Sequence, residues 1–258
     1  MLNFIDQGSG PAVLLIHGLF GSADNLGRLG QSLLERGWRV IRIDLPNHGE
    51  SPKGQSMALT AMADELERLR QQLGLAQWAL VGHSLGGKVA MTYAQSHPER
   101  VLALAVADIA PNGYRTNRHQ NILATLTRLE NQPGLTRKMA QQAFMEAGIE
   151  TGTTAFLMKS LKPEKQGSYD WQLDIGAIVH DYPQIIGPVP ELPPFTGPVL
   201  FLKGELSEYL LPEHRQEILR RFPASKARVI TGTGHWLHAE KPEQFNRHVA
   251  DFLAPHMN

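Results

Sequence analysis

The sequence predicts an α/β domain: a mostly parallel, doubly wound sheet interrupted once by a helical insertion. Three observations carry this. Up to about Pro111, short β-rich runs alternate with helical stretches. The runs are apolar at consecutive positions, as strands buried on both faces must be. From about Asn112 to Pro190 the strand signals vanish, and then the alternation resumes.

Ala12–Ile16 is an unbroken apolar run that ends in His17-Gly18. Arg39–Asp44 is the next strand, closed by Pro46. Trp78–Val81 and Val101–Ala107 follow. Helices are expected at about Asp24–Arg36, Met57–Leu73 and Gly86–Ser96, the last stopped ahead of Pro98. In the insertion, Leu123, Leu126 and Leu129 stand at helical spacing, as do Met139, Ala143 and Phe144, and Phe156, Leu157 and Leu161. Four short helices and no strands are expected there. Gly187-Pro188-Val189-Pro190 with Pro193-Pro194 marks the exit. Pro198–Lys203 and Ala227–Thr231 then read as strands, and Pro212–Arg221 and Pro242–Leu253 as helices. The expected organisation is a core of residues 1–111 and 191–258 around a helical cap of residues 112–190.

The 258 residues carry 25 basic and 25 acidic side chains, a formal net charge of zero. Binding nucleic-acid phosphates needs a basic excess or stripe, and none is visible. Cysteine is absent, which removes disulfides, thiolate zinc sites, iron–sulfur clusters and a thiolate nucleophile. The longest apolar runs fall far short of the ~20 residues of a membrane-spanning helix. Met1–Asp6 has no basic segment and no long apolar one, so no secretory signal is expected and the cytoplasm is the default location. No pattern asks for a metal or a cofactor, and oligomeric state leaves no trace in the sequence.

Gly82-His83-Ser84-Leu85-Gly86-Gly87 follows an apolar strand and opens a helix. It is G-x-S-x-G in the strand–turn–helix setting its chemistry requires. Glycines two before and two after Ser84 remove the Cβ atoms that so tight a turn would drive into its neighbours. The turn lifts the Ser84 hydroxyl above the sheet edge. A serine hydroxyl is a poor nucleophile until a base takes its proton. Of eleven histidines, His235 in Gly232-Thr233-Gly234-His235-Trp236 follows a strand directly, which places it at the carboxyl end of the sheet. His238 competes from three residues on, but is expected to start a helix as a surface or packing residue. His83 should point away from the serine and shape the acyl pocket. The other histidines read as surface or packing residues. Two backbone N–H groups must face the developing oxyanion. Leu85, after the nucleophile, supplies one. The loop His17-Gly18-Leu19-Phe20-Gly21 supplies the other, through Leu19 or, alternatively, Phe20. His17 is expected to order that loop.

These residues resemble the α/β-hydrolase superfamily. The match runs through His17–Gly21, Asp44-Leu45-Pro46-Asn47-His48-Gly49-Glu50-Ser51, the Ser84 turn and Gly234-His235. Asp44–Ser51 looks like the family's structural D-x-x-x-x-G-x-S loop. More narrowly, Asp108-Ile109-Ala110-Pro111 and Gly234-His235-Trp236 resemble the bacterial YbfF-type esterases. The acid departs from the superfamily's usual pattern, an aspartate in the loop after its seventh strand. That loop reads Lys203-Gly204-Glu205-Leu206-Ser207-Glu208-Tyr209, with Ser207 where the aspartate would stand. Asp108 ends the strand expected beside the nucleophile strand, and the order Ser84…Asp108…His235 is kept. The resemblance implies Asp108 as the acid with Ser207 as an auxiliary; Glu205 and Glu208 are the alternatives.

The resemblance also implies that the insertion is a cap over Ser84. Phe20, His83, Tyr114, Trp171, Tyr209 and Trp236 are candidate pocket residues, although aromatics at such spacing commonly just pack. Arg115 and Arg118 could meet an anionic substrate such as a coenzyme A thioester, against the simpler reading of solvated arginines. The function expected is a serine esterase on small or medium acyl esters, with thioesters a further substrate class. The alternative is a capped lyase or carbon–carbon bond hydrolase with the same triad, since fold does not fix function. Its arginine-rich pocket is not evident, because the basic residues of the insertion are dispersed.

Overall fold

The computed structural model describes residues 1–114, 119–130, 132–164 and 168–256. Its centre is a seven-stranded sheet of β1 (Phe4–Gln7), β2 (Ala12–Ile16), β3 (Arg39–Ile43), β4 (Trp78–His83), β5 (Val101–Ala107), β8 (Val199–Gly204) and β9 (Ser225–Ile230), in the order β1-β3-β2-β4-β5-β8-β9. Every pairing is parallel except β1 on β3. The carboxyl ends of β2, β4, β5, β8 and β9 therefore share one edge, where loops from distant parts of the chain can meet.

Both faces of the sheet are covered. Leu14, Ile16, Leu80 and Val106 pack beneath α2 (Leu59–Gln72) and α3 (Leu85–Ser96). Val13, Leu15, Val81 and Ala105 pack beneath α1 (Gly27–Leu34), α9 (Leu237–Glu240) and α10 (Pro242–Leu253). Each strand thus splits its apolar side chains between two cores, and β2 reads as an unbroken apolar run. The expected strands and helices all occur, with ends moved by a few residues. The helix expected from Asp24 opens as a 3-10 turn, Ala23–Leu26, and that from Pro212 as Pro212–His214 ahead of α8 (Arg215–Arg221).

Between β5 and β8 lie the four expected helices, α4 (Gln120–Glu130), α5 (Arg137–Glu146), α6 (Thr151–Leu157) and α7 (Ile175–Ile186). One expectation fails there. β6 (Leu161–Pro163) and β7 (Tyr169–Trp171) form a two-stranded antiparallel hairpin. The helical segment is fastened to the core by polar contacts. The Asp174 carboxylate caps α7 by accepting from the Ala177 N–H (2.9 Å) and also accepts from the Gly54 N–H (2.7 Å). Asp181 accepts from the Met57 N–H at 2.7 Å. At the other end of α7, the Lys88 ammonium donates to the carbonyls of Ile186 (3.2 Å) and Gly187, satisfying groups that a helix end leaves open. Among the described residues no helix is long and apolar enough to cross a membrane.

Candidate active site

The turn after β4 places Ser84 at φ 52°, ψ −120°. Among the described residues only three other non-glycine residues take a left-handed φ, namely Phe20, Asn47 and Asp108. Each such residue costs on the order of 1–3 kcal/mol and persists only where its surroundings over-determine it. They do so here. The Ser84 N–H donates to the Ala107 carbonyl (3.0 Å), and its carbonyl accepts from Gly87 (2.8 Å) and Lys88 (3.1 Å). A Cβ on Gly86 would lie 2.3 Å from the Ile16 carbonyl oxygen, so only glycine lets α3 pass so close to β2.

His235 follows β9, and its Nε2 lies 3.0 Å from Ser84 Oγ. Its Nδ1 lies 2.7 Å from Asp108 Oδ2. Asp108 is fully buried, and all its partners are donors. Gly204 N–H donates to Oδ1 at 3.0 Å, while the Ser207 hydroxyl donates to Oδ2. Donors on every side hold the carboxylate as an acceptor, so the His235 proton sits on Nδ1 and Nε2 is left to accept from Ser84. The Tyr209 ring stacks on His235, with centroids 4.0 Å apart. Glu205 is engaged elsewhere, accepting from the Gly232 N–H at 2.7 Å.

The loop after β2 is ordered by two buried imidazoles. His17 Nε2 accepts from the Leu45 N–H (2.9 Å), so its proton is on Nδ1, which donates to the Gly18 carbonyl (2.7 Å). His48 Nε2 accepts from the Phe20 N–H (3.0 Å) and its Nδ1–H donates to the Pro46 carbonyl (2.8 Å). Burial pushes His17 down from its ordinary range and His48 down to about 3, so both stay neutral. The Phe20 N–H is thereby spent. Among the described residues, the N–H groups of Leu19 and Leu85 have no acceptor of their own. Asp44 accepts from Ala23 N–H (2.7 Å), Glu50 N–H (2.9 Å) and Asn3 Nδ2 (2.8 Å), a structural role.

A cavity of about 380 Å³ opens over Ser84, bordered by Phe20, His83, Tyr209, His235 and Trp236 among others. Tyr114 borders a second, much smaller cavity beside Ser84. Trp171 belongs to neither. It is buried against Phe144 of α5, because its position in β7 turns it into the packing of the helical segment. His238, expected as a surface or packing residue, is buried and packs on His83 (4.4 Å between centroids), with burial pushing it down to about 3. His83 does more than line the cavity: its Nε2 donates to the His235 carbonyl at 2.9 Å. Arg115 and Arg118 lie outside the described residues.

Several cavity residues were not anticipated. His119, Glu150, Thr153 and Phe156 come from the insertion, and no local pattern sets which of its faces looks at Ser84. His48 could have been found, because it sits in the matched Asp44–Ser51 loop. Among the described residues no group of three or more histidine, aspartate and glutamate side chains is placed to hold a metal ion.

A family model for the alpha/beta hydrolase fold matches residues 11–148. The chain is 36% identical over 250 residues to the sn-1-specific diacylglycerol lipase ABHD11 of Mus musculus, covering 95% of this chain and 81% of that one. It is 34% identical over 248 residues to the Esterase YbfF of Escherichia coli (strain K12), covering 96% and 95%. A solved structure titled "Marine microorganism esterase" superposes with a TM-score of 0.94 at 34% identity, covering 98% of this chain and 99% of that one. The similarity spans the sheet, the Ser84 turn and the helical segment together, and bears out the resemblance read from the sequence. This chain belongs to the α/β-hydrolase fold family, among proteins of the YbfF type.

Proposed function

We propose that the protein is a serine esterase that hydrolyses small or medium acyl esters through an acyl-enzyme, with acyl thioesters a further substrate class open to the same route. Ser84 Oγ attacks the carbonyl carbon as its proton passes to His235 Nε2. Asp108 holds the imidazole and stabilises the imidazolium, and Ser207 helps fix Asp108. The N–H groups of Leu19 and Leu85 stabilise the oxyanion. The C–O bond to the alcohol breaks, and the alcohol leaves with the His235 proton. Water, deprotonated by His235, then cleaves the Ser84 ester and releases the acid. Residues 112–190 act as a cap that closes the cavity above the serine, between core segments 1–111 and 191–258. The cytoplasm remains the compartment expected from the sequence.

The observation that carries this reading is the hydrogen-bonded relay from buried Asp108 through His235 to Ser84 Oγ, at 2.7 and 3.0 Å. The names of two relatives, an esterase and a diacylglycerol lipase, point to the same chemistry. The test is Ser84→Ala with p-nitrophenyl acyl esters and acyl-coenzyme A substrates. Turnover should be lost with both while the melting temperature holds, leaving at most a residual ~10³–10⁴-fold acceleration over water. An alkyl fluorophosphonate should label Ser84 and leave the Ser84→Ala protein unlabelled. A folded Ser84→Ala protein with near-normal turnover would refute the assignment.

A further inference from the structure

Two cavities meet at Ser84 and differ in volume by an order of magnitude. The one bordered by His235 and Trp236 holds about 380 Å³. The other, on the side of Leu85, holds about 30 Å³ and is bordered by Ile109, Ile185 and Lys88. We infer that the small cavity takes the acyl chain and limits it to at most about four carbons, the carbonyl included, while the large one takes the alcohol. The substrates are then short-chain acyl esters of bulky alcohols. This assignment rests on the proposed Ser84–His235 mechanism.

The chemistry decides which part goes where. In acyl transfer, the imidazole that deprotonates the serine must next protonate the leaving oxygen. The leaving oxygen therefore sits beside His235 Nε2, and the rest of the alcohol extends into the cavity that His235 borders. The acyl chain is the remaining substituent on the tetrahedral carbon. With the oxyanion held between the Leu19 and Leu85 N–H groups, the chain points away from His235. The small cavity lies there: Leu85 borders it and His235 does not.

Size follows from the same geometry. A water-sized group needs on the order of 10–15 Å³ of such space. The small cavity thus holds two or three carbons beyond the carbonyl. The large one falls in the range of about 300–1,000 Å³ usual for small-molecule sites. The walls of the small cavity are also stiff. Ile109 is buried, and its Cγ2 would lie 2.6 Å from a Cβ on Gly87. Ile185 is buried at the end of α7, which Lys88 ties to α3 through the Ile186 and Gly187 carbonyls. The Lys88 ammonium also sits 4.8 Å over the Tyr114 ring, so withdrawing it would break several contacts together. The large cavity is bordered instead by Glu150, Thr153 and Phe156, none of them fully buried.

The experiment compares two ester series by kcat/KM. One holds p-nitrophenol constant and lengthens the acyl group from acetyl through butyryl and hexanoyl to octanoyl. The other holds acetate constant and lengthens the alcohol from methanol through butanol to octanol. The first series should fall at least about tenfold between butyryl and octanoyl, since an apolar pocket discriminates by at least about that much for a misfitting methylene. The second should hold or rise. Ile185→Ala should recover hexanoyl and octanoyl turnover; if it proves unstable, Ile186→Ala, at a half-buried position, makes the same test. Thr153→Trp should cut octyl acetate relative to methyl acetate while the acyl-length profile keeps its shape. An octanoyl ester turned over as well as the acetyl ester, or Thr153→Trp shortening the acyl profile instead, would overturn the assignment. Either result alongside an inactive Ser84→Ala protein refutes the division of the substrate alone; activity without Ser84 refutes the mechanism beneath it.

Discussion

Replacing Asp108 by asparagine changes one atom and tests the relay directly. The carboxylate is surrounded by donors: Gly204 N–H on Oδ1, and the Ser207 hydroxyl and His235 Nδ1 on Oδ2. An amide has one acceptor oxygen and one donor nitrogen. If the oxygen faces Gly204, the amide N–H₂ faces His235 Nδ1 and makes that atom the acceptor. The imidazole proton then moves to Nε2, which points a hydrogen at Ser84 Oγ and cannot take one. If the amide flips, its N–H₂ opposes the buried Gly204 N–H, and an unsatisfied buried donor costs about 1–3 kcal/mol. The first orientation, with the inactive tautomer, is therefore preferred. In the best-studied triads this change lowers kcat about 10⁴-fold, which at ~1.36 kcal/mol per factor of ten is ~5.4 kcal/mol of lost transition-state stabilisation. Asp108→Asn should lose several orders of magnitude in kcat on a short p-nitrophenyl ester at neutral pH, with KM little changed. Ser207→Ala should lose about tenfold, because it removes one of the hydrogen bonds that aim Oδ2. Glu205→Gln should stay near the parent rate, since among the described residues that side chain is engaged by the Gly232 N–H, away from His235. Loss of activity in Glu205→Gln with activity kept in Asp108→Asn would refute the reasoning.

His235→Ala should match Ser84→Ala in lost kcat/KM, whereas His238→Ala should keep most of the rate and lose about 1–3 kcal/mol of stability in urea unfolding, because it empties a buried site; the reverse ranking would exchange their roles. Acid should destabilise the fold through the buried neutral imidazoles: His48 and His238 are pushed down to about 3, so below pH ~6.5 the unfolded chain binds protons that the folded one refuses. Stability is then intact above that pH and falls as pH drops toward 3, by up to ~2 kcal/mol per such histidine at pH 5. Urea midpoints at pH 7.5, 6 and 5 measure it, and a flat series would contradict the burial of these groups.

Short-range constraints were legible in the sequence. β2, β4 and β5 are apolar runs because both faces of the sheet are covered, and that alone fixes their character. The turn at Ser84 announces itself because its glycines answer to backbone atoms only a few ångströms away, such as the Ile16 carbonyl beside Gly86. β1 was missed because a four-residue edge strand with half its side chains exposed has no apolar run to give it away. The β6–β7 hairpin was missed because its strands are three residues long and one ends in a proline.

What tertiary structure decided was everything that depends on how the helical segment sits on the sheet and how the strands register. Lys88 reads as an ordinary helix lysine, but almost all of α3 is enclosed, and its ammonium finds acceptors nearly a hundred residues away. Trp171 looked like a pocket residue and is packing, while His119, Glu150 and Thr153 had no signal and border the cavity. That Asp108 meets His235 turns on a register. β5 pairs with β8 so that Ala107 stands beside Leu202, which sets Asp108 against Gly204 and Ser207 and beneath His235. No local propensity encodes that alignment. It follows from which parallel strands become neighbours, and that is settled only when both faces of the sheet are packed.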